Sequence, residues 1–279
     1  MEKNEFVKLM SFKRIKRIGN QKAIDLFTNS QLVVTYERSN YEISKMFDYC
    51  KSKKIHIISY FDPEYPDKLK KINSPPLILF ARGNLCLLKK KLITIVGSRG
   101  ASEKTKIWAY NISKELSDLG YVIVSGGAQG IDTYAHRGAL NSSGETICVL
   151  GSGIDNVYPE ENIPLIENIS RRGLVISEVP PTESVSRINL LQRNRITSAL
   201  GDKVLIVSIG RKGGGSKSQF RDAYSQGKEI FAPDPSLELK PNEGLINLIK
   251  ENKIIPIQSV EDMFNFQIKK EEKGLKRFL

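Results

Sequence analysis

At 279 residues the chain can hold one large or two modest domains with a sizeable core. It is 40% hydrophobic and 27% charged, as globular proteins are, but 43 Lys and Arg against 31 Asp and Glu leave a formal charge of +12. That excess fits a polyanionic partner, nucleic acid or an anionic surface, unless it only solubilises the protein. Cys50, Cys86 and Cys148 form no CxxC pair, and His56 and His136 are the only histidines. These counts argue against a disulfide framework and a zinc site, so no metal or cofactor is expected. The opening MEKNEFVKLM carries no apolar run of signal-peptide length, and no segment reaches the ~20 apolar residues of a membrane span. A cytoplasmic protein without a membrane partner is expected.

Along the chain, residues 1–54 read as a small helical region. Phe6, Leu9, Met10, Ile15, Ile18, Ile24, Leu26 and Phe27 recur at helical spacings, and 41–53 is a further amphipathic helix. Strand His56–Tyr60 follows, then a turn over Phe61–Pro66 in which two prolines block helix and central strand alike. From about residue 75 strands and helices alternate. Buried strands are predicted at Leu77–Ala81, Leu92–Val96, Tyr121–Ser125, Thr146–Leu150, Leu174–Ser177, Lys203–Ser208 and Glu229–Ala232. Helices are predicted over 103–119, 131–141, 160–171, 191–200 and 216–226, with two short ones at Glu243–Glu251 and Val260–Phe266 before a charged tail. The fold expected is therefore α/β, a doubly wound, mainly parallel Rossmann-like sheet over residues 55–240, with a C-terminal region over 241–279.

Ligands of such sheets sit beyond the carboxyl ends of the strands, at helix N-termini. After the Leu92–Val96 strand comes Gly97-Ser98-Arg99-Gly100, whose small residues admit a phosphate and whose arginine offers a fork for its oxygens. Ser125-Gly126-Gly127-Ala128-Gln129-Gly130-Ile131-Asp132 and Gly151-Ser152-Gly153-Ile154-Asp155 follow the next two helix-flanked strands. Each loop alone is as readily a tight turn as a phosphate site; three on successive strands suggest an anion-binding rim. Asp132 reads as a helix-capping acid, Asp155 as a turn former and His136 as a packed histidine rather than a general base. Glu178 follows a strand but has no paired acid, so no reaction is assigned to it. Arg187–Arg195 (RINLLQRNR) packs three arginines into a helix start, either as a solvated face or as a phosphate grip. Gly213-Gly214-Gly215-Ser216-Lys217, preceded by Arg211 and Lys212, opens another helix without Walker A spacing.

Taken in order, IVGSR (95–99), SGGAQGIDTYAHRGAL (125–140), VLGSGIDNVYPEEN (149–162), ISE (176–178), QRNRI (192–196) and QGKEIFA (226–232) resemble the successive signatures of the DNA-processing protein A family (DprA, or Smf). The upstream DPEYP (62–66), SPP (74–76) and Arg82-Gly83 agree, so the resemblance runs over about 55–236. It implies a homodimer, not an enzyme, that binds single-stranded DNA and loads a RecA-type recombinase onto it in natural transformation. It also implies DNA contacts from Arg99, Gly151, Ser152, Arg187, Arg193, Asn194 and Arg195, with one of Arg193 and Arg195 bracing the fold; the loop readings add Gly97, Ser98 and Lys217 as candidate contacts. Where the family has Phe-Pro-Arg, this chain has Leu190-Leu191-Gln192. That removes an aromatic platform worth about 1–3 kcal/mol per stacked base. Gly214–Phe220 and Asp234-Pro235 also depart from the pattern, and no C-terminal winged helix is expected. The rival reading is a nucleotide sensor or phosphoribohydrolase-like enzyme on a similar fold. Against hydrolysis, Ser218-Gln219-Phe220 stand where that enzyme's catalytic glutamate would be. A NAD dehydrogenase is disfavoured because no GxGxxG follows the first parallel strand.

Overall fold

The computed structural model describes residues 1–14, 19–28, 37–142, 144–210, 214–239 and 243–265. Ile15, Ile18, Arg211, Lys212, Gly213 and the tail beyond residue 265 lie outside them. Helices α1 (Lys3–Arg14), α2 (Asn20–Thr28) and α3 (Glu37–Ser52) precede strand β1 (His56–Ser59). Then come α4 (Asp67–Lys70), β2 (Ile78–Gly83), β3 (Leu92–Val96), α5 (Glu103–Asp118), β4 (Val122–Gly126), α6 (Ile131–Asn141) and β5 (Thr146–Leu150). The chain continues through α7 (Ile163–Arg172), β6 (Leu174–Ser177), α8 (Arg187–Leu200), β7 (Lys203–Ile206), α9 (Gly215–Ser225), β8 (Glu229–Pro233), α10 (Glu243–Lys250) and β9 (Ile255–Ile257).

The strands form one sheet in the order β1-β2-β6-β5-β4-β3-β7-β8-β9. From β6 to β9 every pairing is parallel, while β1 and β2 add an antiparallel flank. The α/β, Rossmann-like expectation holds. The pleat explains why the central strands are apolar throughout: both faces are covered. Ile93, Ile95 and Ile123 pack with Ala109, Ile112 and Leu116 of α5 and Ile131, Ala135 and Ala139 of α6. Their neighbours Leu92, Val122 and Val124 pack on the opposite face with Ile196, Ala199 and Leu200 of α8. The N-terminal helices bury Phe6, Leu9, Ile24 and Ile43 against Ile78 and Phe80 of β2. Arg82 and the Tyr49 hydroxyl both donate to the Asp155 carboxylate (2.7 and 2.9 Å), so the expected turn former also ties α3 to the sheet.

Helix α4 was not expected, and two further elements differ from the sequence expectation in ways that bear on the site. Strand β9 is absent from it, because three residues with a central proline give a weak signal. The strand is tolerable because it lies at the sheet edge, where Pro256 need not donate to a further neighbour. Helix α8 begins at Arg187, four residues before the predicted 191. Ser186 is its N-cap, the side-chain oxygen accepting from the Asn189 N–H at 3.0 Å. At the other end the Lys228 ammonium donates to the carbonyls of Ala199 and Gly201 (2.8 and 2.6 Å). Ser186→Ala should cost about 1 kcal/mol in urea denaturation by leaving that first-turn amide unbonded. No loss of stability in that variant would show that the first turn does not depend on its cap.

Candidate nucleic-acid interface

The sheet changes direction at β3, which has β4 on one side and β7 on the other. A doubly wound sheet opens its ligand crevice at this point, because the loops leaving the two strands diverge to opposite faces. A cavity of about 440 Å³ lies here, lined by the 97–99 turn, Ala128 and Asp132 at the start of α6, the first turns of α8, and Gly214–Ser216 at the start of α9. Three helix N-termini therefore face one hollow, and their free amides favour an anion.

Among the expected contacts, Arg99 and Arg187 line this cavity, are exposed, and have no hydrogen bond or ion pair to any described residue. Ser98 is committed to shaping its turn. Its backbone N–H donates to Ser208 Oγ (3.0 Å) and its own Oγ accepts from the Gly100 N–H (3.2 Å). Lys217 is exposed in the first turn of α9, just beyond the lining. The Asn194 side-chain amide donates to the Gly215 carbonyl (3.2 Å), and Gln219 reaches back to the Asn194 carbonyl (3.2 Å). Together they fix the glycine-rich entry of α9 to α8. Gln219 and Ser218, at the position of the absent glutamate, are both buried.

The other expected residues are committed to the fold, and of these Arg193 also lines the cavity. Arg195 is paired with Glu178 at 2.6 Å, and Glu178 also accepts from the Asn20 side chain (2.8 Å). Glu178 thereby joins α2 to α8. Arg193 is 9% exposed and its Nη1 donates to the Val149 carbonyl (2.7 Å). Both arginines, not one, brace the fold. Gly151 passes beneath Leu190, where a Cβ would stand 3.0 Å from the Leu190 Cα. Ser152 is 1% exposed and offers no hydroxyl to the cavity.

Behind the cavity lies a buried polar layer that the sequence did not reveal. Burial raises the Asp132 carboxyl above its usual range, and Arg193 together with the Ala128 amide and Ser125 hydroxyl draws it back. Gly126 makes this layer possible: a Cβ there would lie 1.7 Å from Arg193 Nη1 and 2.5 Å from Asp132 Oδ2. Gly130, with φ +80°, brings the start of α6 within 2.6 Å of the Ser98 and Arg99 carbonyls, measured from the Cβ that it lacks. His136 is fully buried between the Gly126 carbonyl (2.9 Å) and the Thr146 hydroxyl (2.7 Å), as a packed histidine should be. Signals for the layer were present in the glycines themselves, which mark close approaches as well as phosphate turns.

A family model of DNA recombination-mediator protein A matches residues 56–267. The chain belongs to this family. The DNA processing protein DprA of Bacillus subtilis is 36% identical over 211 residues, 75% of this chain and 70% of that protein. Protein Smf of Escherichia coli is 33% identical over 76% of this chain and 57% of its own length. The X-ray structure of DprA from Streptococcus pneumoniae superposes with a TM-score of 0.72 at 30% identity, covering 95% of this chain and 93% of that one. DNA processing protein A of Helicobacter pylori, studied for its single-stranded DNA binding mode, gives 0.68 at 28% identity over 78% of this chain and 97% of that one. The family places the chain among the DNA-processing recombination mediators. Among the described residues no helix is long and apolar enough to cross a membrane.

Proposed function

We propose that this protein binds single-stranded DNA across the crevice at β3 and β7 and, as a homodimer, passes the strand to a RecA-type recombinase. One observation carries the reading: two exposed arginines, Arg99 and Arg187, whose side chains make no hydrogen bond or ion pair to any described residue, share a cavity ringed by three helix N-termini. Phosphates accept from guanidinium forks and backbone amides at once, so such a hollow suits a sugar–phosphate track. Lys217 extends the positive rim, Gly97 and Ser98 supply backbone, and Asn194 holds the α9 entry in shape. Arg193, Arg195, Gly151 and Ser152 support the track from below. The DNA-binding mode named for the Helicobacter pylori protein and the overall charge of +12 support the same reading.

Fluorescence anisotropy with a labelled oligothymidine over a salt series tests it. Affinity should fall steeply with salt, and Arg99→Ala and Arg187→Ala should each weaken binding about tenfold, since hydrogen bonds to charged groups contribute about 1.5–3 kcal/mol. Each should also reduce the slope of log affinity against log salt by about 0.7, the value for one phosphate of a single strand. Binding without salt dependence, or indifferent to both substitutions, would sink the track. Free-base release from nucleoside monophosphates would instead support the hydrolase reading. Recombinase loading is read separately, as faster filament growth on DNA already coated with a single-strand-binding protein.

A further inference from the structure

Helix α8 starts between two cavities. Arg187, Leu190, Leu191 and Asn194 line the one at the β3–β7 crevice. Asn189, Gln192, Arg193 and Ile196 line another, of about 330 Å³, enclosed from the far side by Asn20, Glu178 and Glu183. Each of these foursomes follows the spacing i, i+3, i+4, i+7, but Arg193 also lines the first cavity and Arg195 the second, so the two stripes adjoin at Arg193. Ile188, 66% exposed, stands on the crest between the stripes. A strand lying in the first cavity has only this crest to cross.

The second cavity is lined by hydrogen-bonding groups that the fold leaves unused. The side chains of Asn189, Gln192 and Glu183 have no hydrogen bond or ion pair to any described residue. In the cavity's arginines, Arg193 Nε and Arg195 Nη1 are buried donors without an acceptor. Glu178, by contrast, is occupied by Arg195 and Asn20. The unused set is therefore one carboxylate, two amides and two guanidinium N–H groups.

We propose that this cavity takes a guanine base from the strand whose phosphates lie on the other side of α8. The inference rests on the DNA-binding reading above. Guanine carries a ring N–H beside an exocyclic amine, which one carboxylate accepts together, and its O6 and N7 accept from amides or guanidinium. Thymine has one such N–H, and the amines of adenine and cytosine adjoin a ring acceptor instead. Glu183 thus matches guanine alone with two parallel bonds, and Asn189 and Gln192 are placed for its acceptor edge.

The test compares three labelled oligomers of equal length by anisotropy: all thymidine, thymidine interspersed with guanine, and the same with inosine, which lacks the exocyclic amine. Guanine should tighten binding about tenfold over inosine, the scale of a good bidentate base contact. Glu183→Gln should bring the guanine oligomer down to the inosine level, and Gln192→Ala should narrow the gap, with thermal melting confirming that both variants fold. Equal affinity for all three oligomers, or a guanine preference that survives both substitutions, overturns this inference while leaving the phosphate track standing. Failure to bind any of the three overturns the track, and the inference with it.

Discussion

Replacing Arg193 by alanine is expected to destabilise the fold by about 3–5 kcal/mol, the cost of removing one partner from a buried charged arrangement. The residue is 9% exposed, its Nη1 bonds the Val149 carbonyl, and it is the foremost influence lowering the Asp132 carboxyl against burial. Without it, Asp132, 5% exposed, loses its main compensating charge. Its folded pKa then rises further above the unfolded value, so the folded variant holds the proton that the unfolded chain releases. The variant's relative stability should accordingly improve as pH falls from 7 towards 5, the reverse of ordinary acid weakening. Adding Asp132→Asn should recover about 1 kcal/mol or more at neutral pH, by removing the cost of either burying the carboxylate or protonating it, and should abolish that pH trend. Urea denaturation followed by the fluorescence of Trp108, the single tryptophan, reads the native protein and both variants. A loss below about 1 kcal/mol for Arg193→Ala would mean that water already balances this layer, and would return Arg193 to the candidate DNA contacts.

Acid should weaken the native protein through His136. Its ring is fully buried, and desolvation lowers its pKa from 6.5 to about 4. The Gly126 carbonyl can only accept, so the neutral ring carries its proton on Nε2 and Nδ1 faces the Thr146 hydroxyl. Because the folded pKa lies below the unfolded one, the unfolded chain takes up a proton first as pH falls. The stabilisation is therefore complete above pH ~6.5 and is lost progressively down to pH ~4, a total of about 3 kcal/mol. His136→Gln can keep both hydrogen bonds without titrating. The difference in unfolding free energy between the two proteins, measured at pH 7 and at pH 4.5, should change in the native protein's disfavour by about 2–3 kcal/mol. A constant difference would show that His136 does not titrate in this window.

Both predictions concern residues behind the β3–β7 crevice, where sequence and structure diverge in what they reveal. The apolar runs of β3, β4 and β5 were legible directly, because a doubly covered strand must be apolar. So was the place of Arg99, since the loop leaving a parallel strand ends at the crevice wherever that strand lies. The early start of α8 was less legible. Its apolar residues Ile188 and Leu191 face outward, 66% and 42% exposed, so hydrophobic periodicity gives no sign of a buried face there.

By itself the sequence determined the βα alternation, the net charge and the family, which depend on composition and local order along the chain. Only the tertiary structure decided which arginines are available to a ligand. Arg187, Arg193 and Arg195 share one short run, yet the first meets water, the second supports Asp132 and the third holds Glu178. The physical reason is that the rotation of α8 about its own axis is set by packing against β3, β4 and β5, and that rotation sorts three identical side chains into three environments. The Gly97-Ser98-Arg99 turn shows the same division. Its residues could be read as a phosphate loop from the strand before it, but its neighbours across the crevice, Arg187 and the α9 entry, are brought there only by the reversal of strand order at β3.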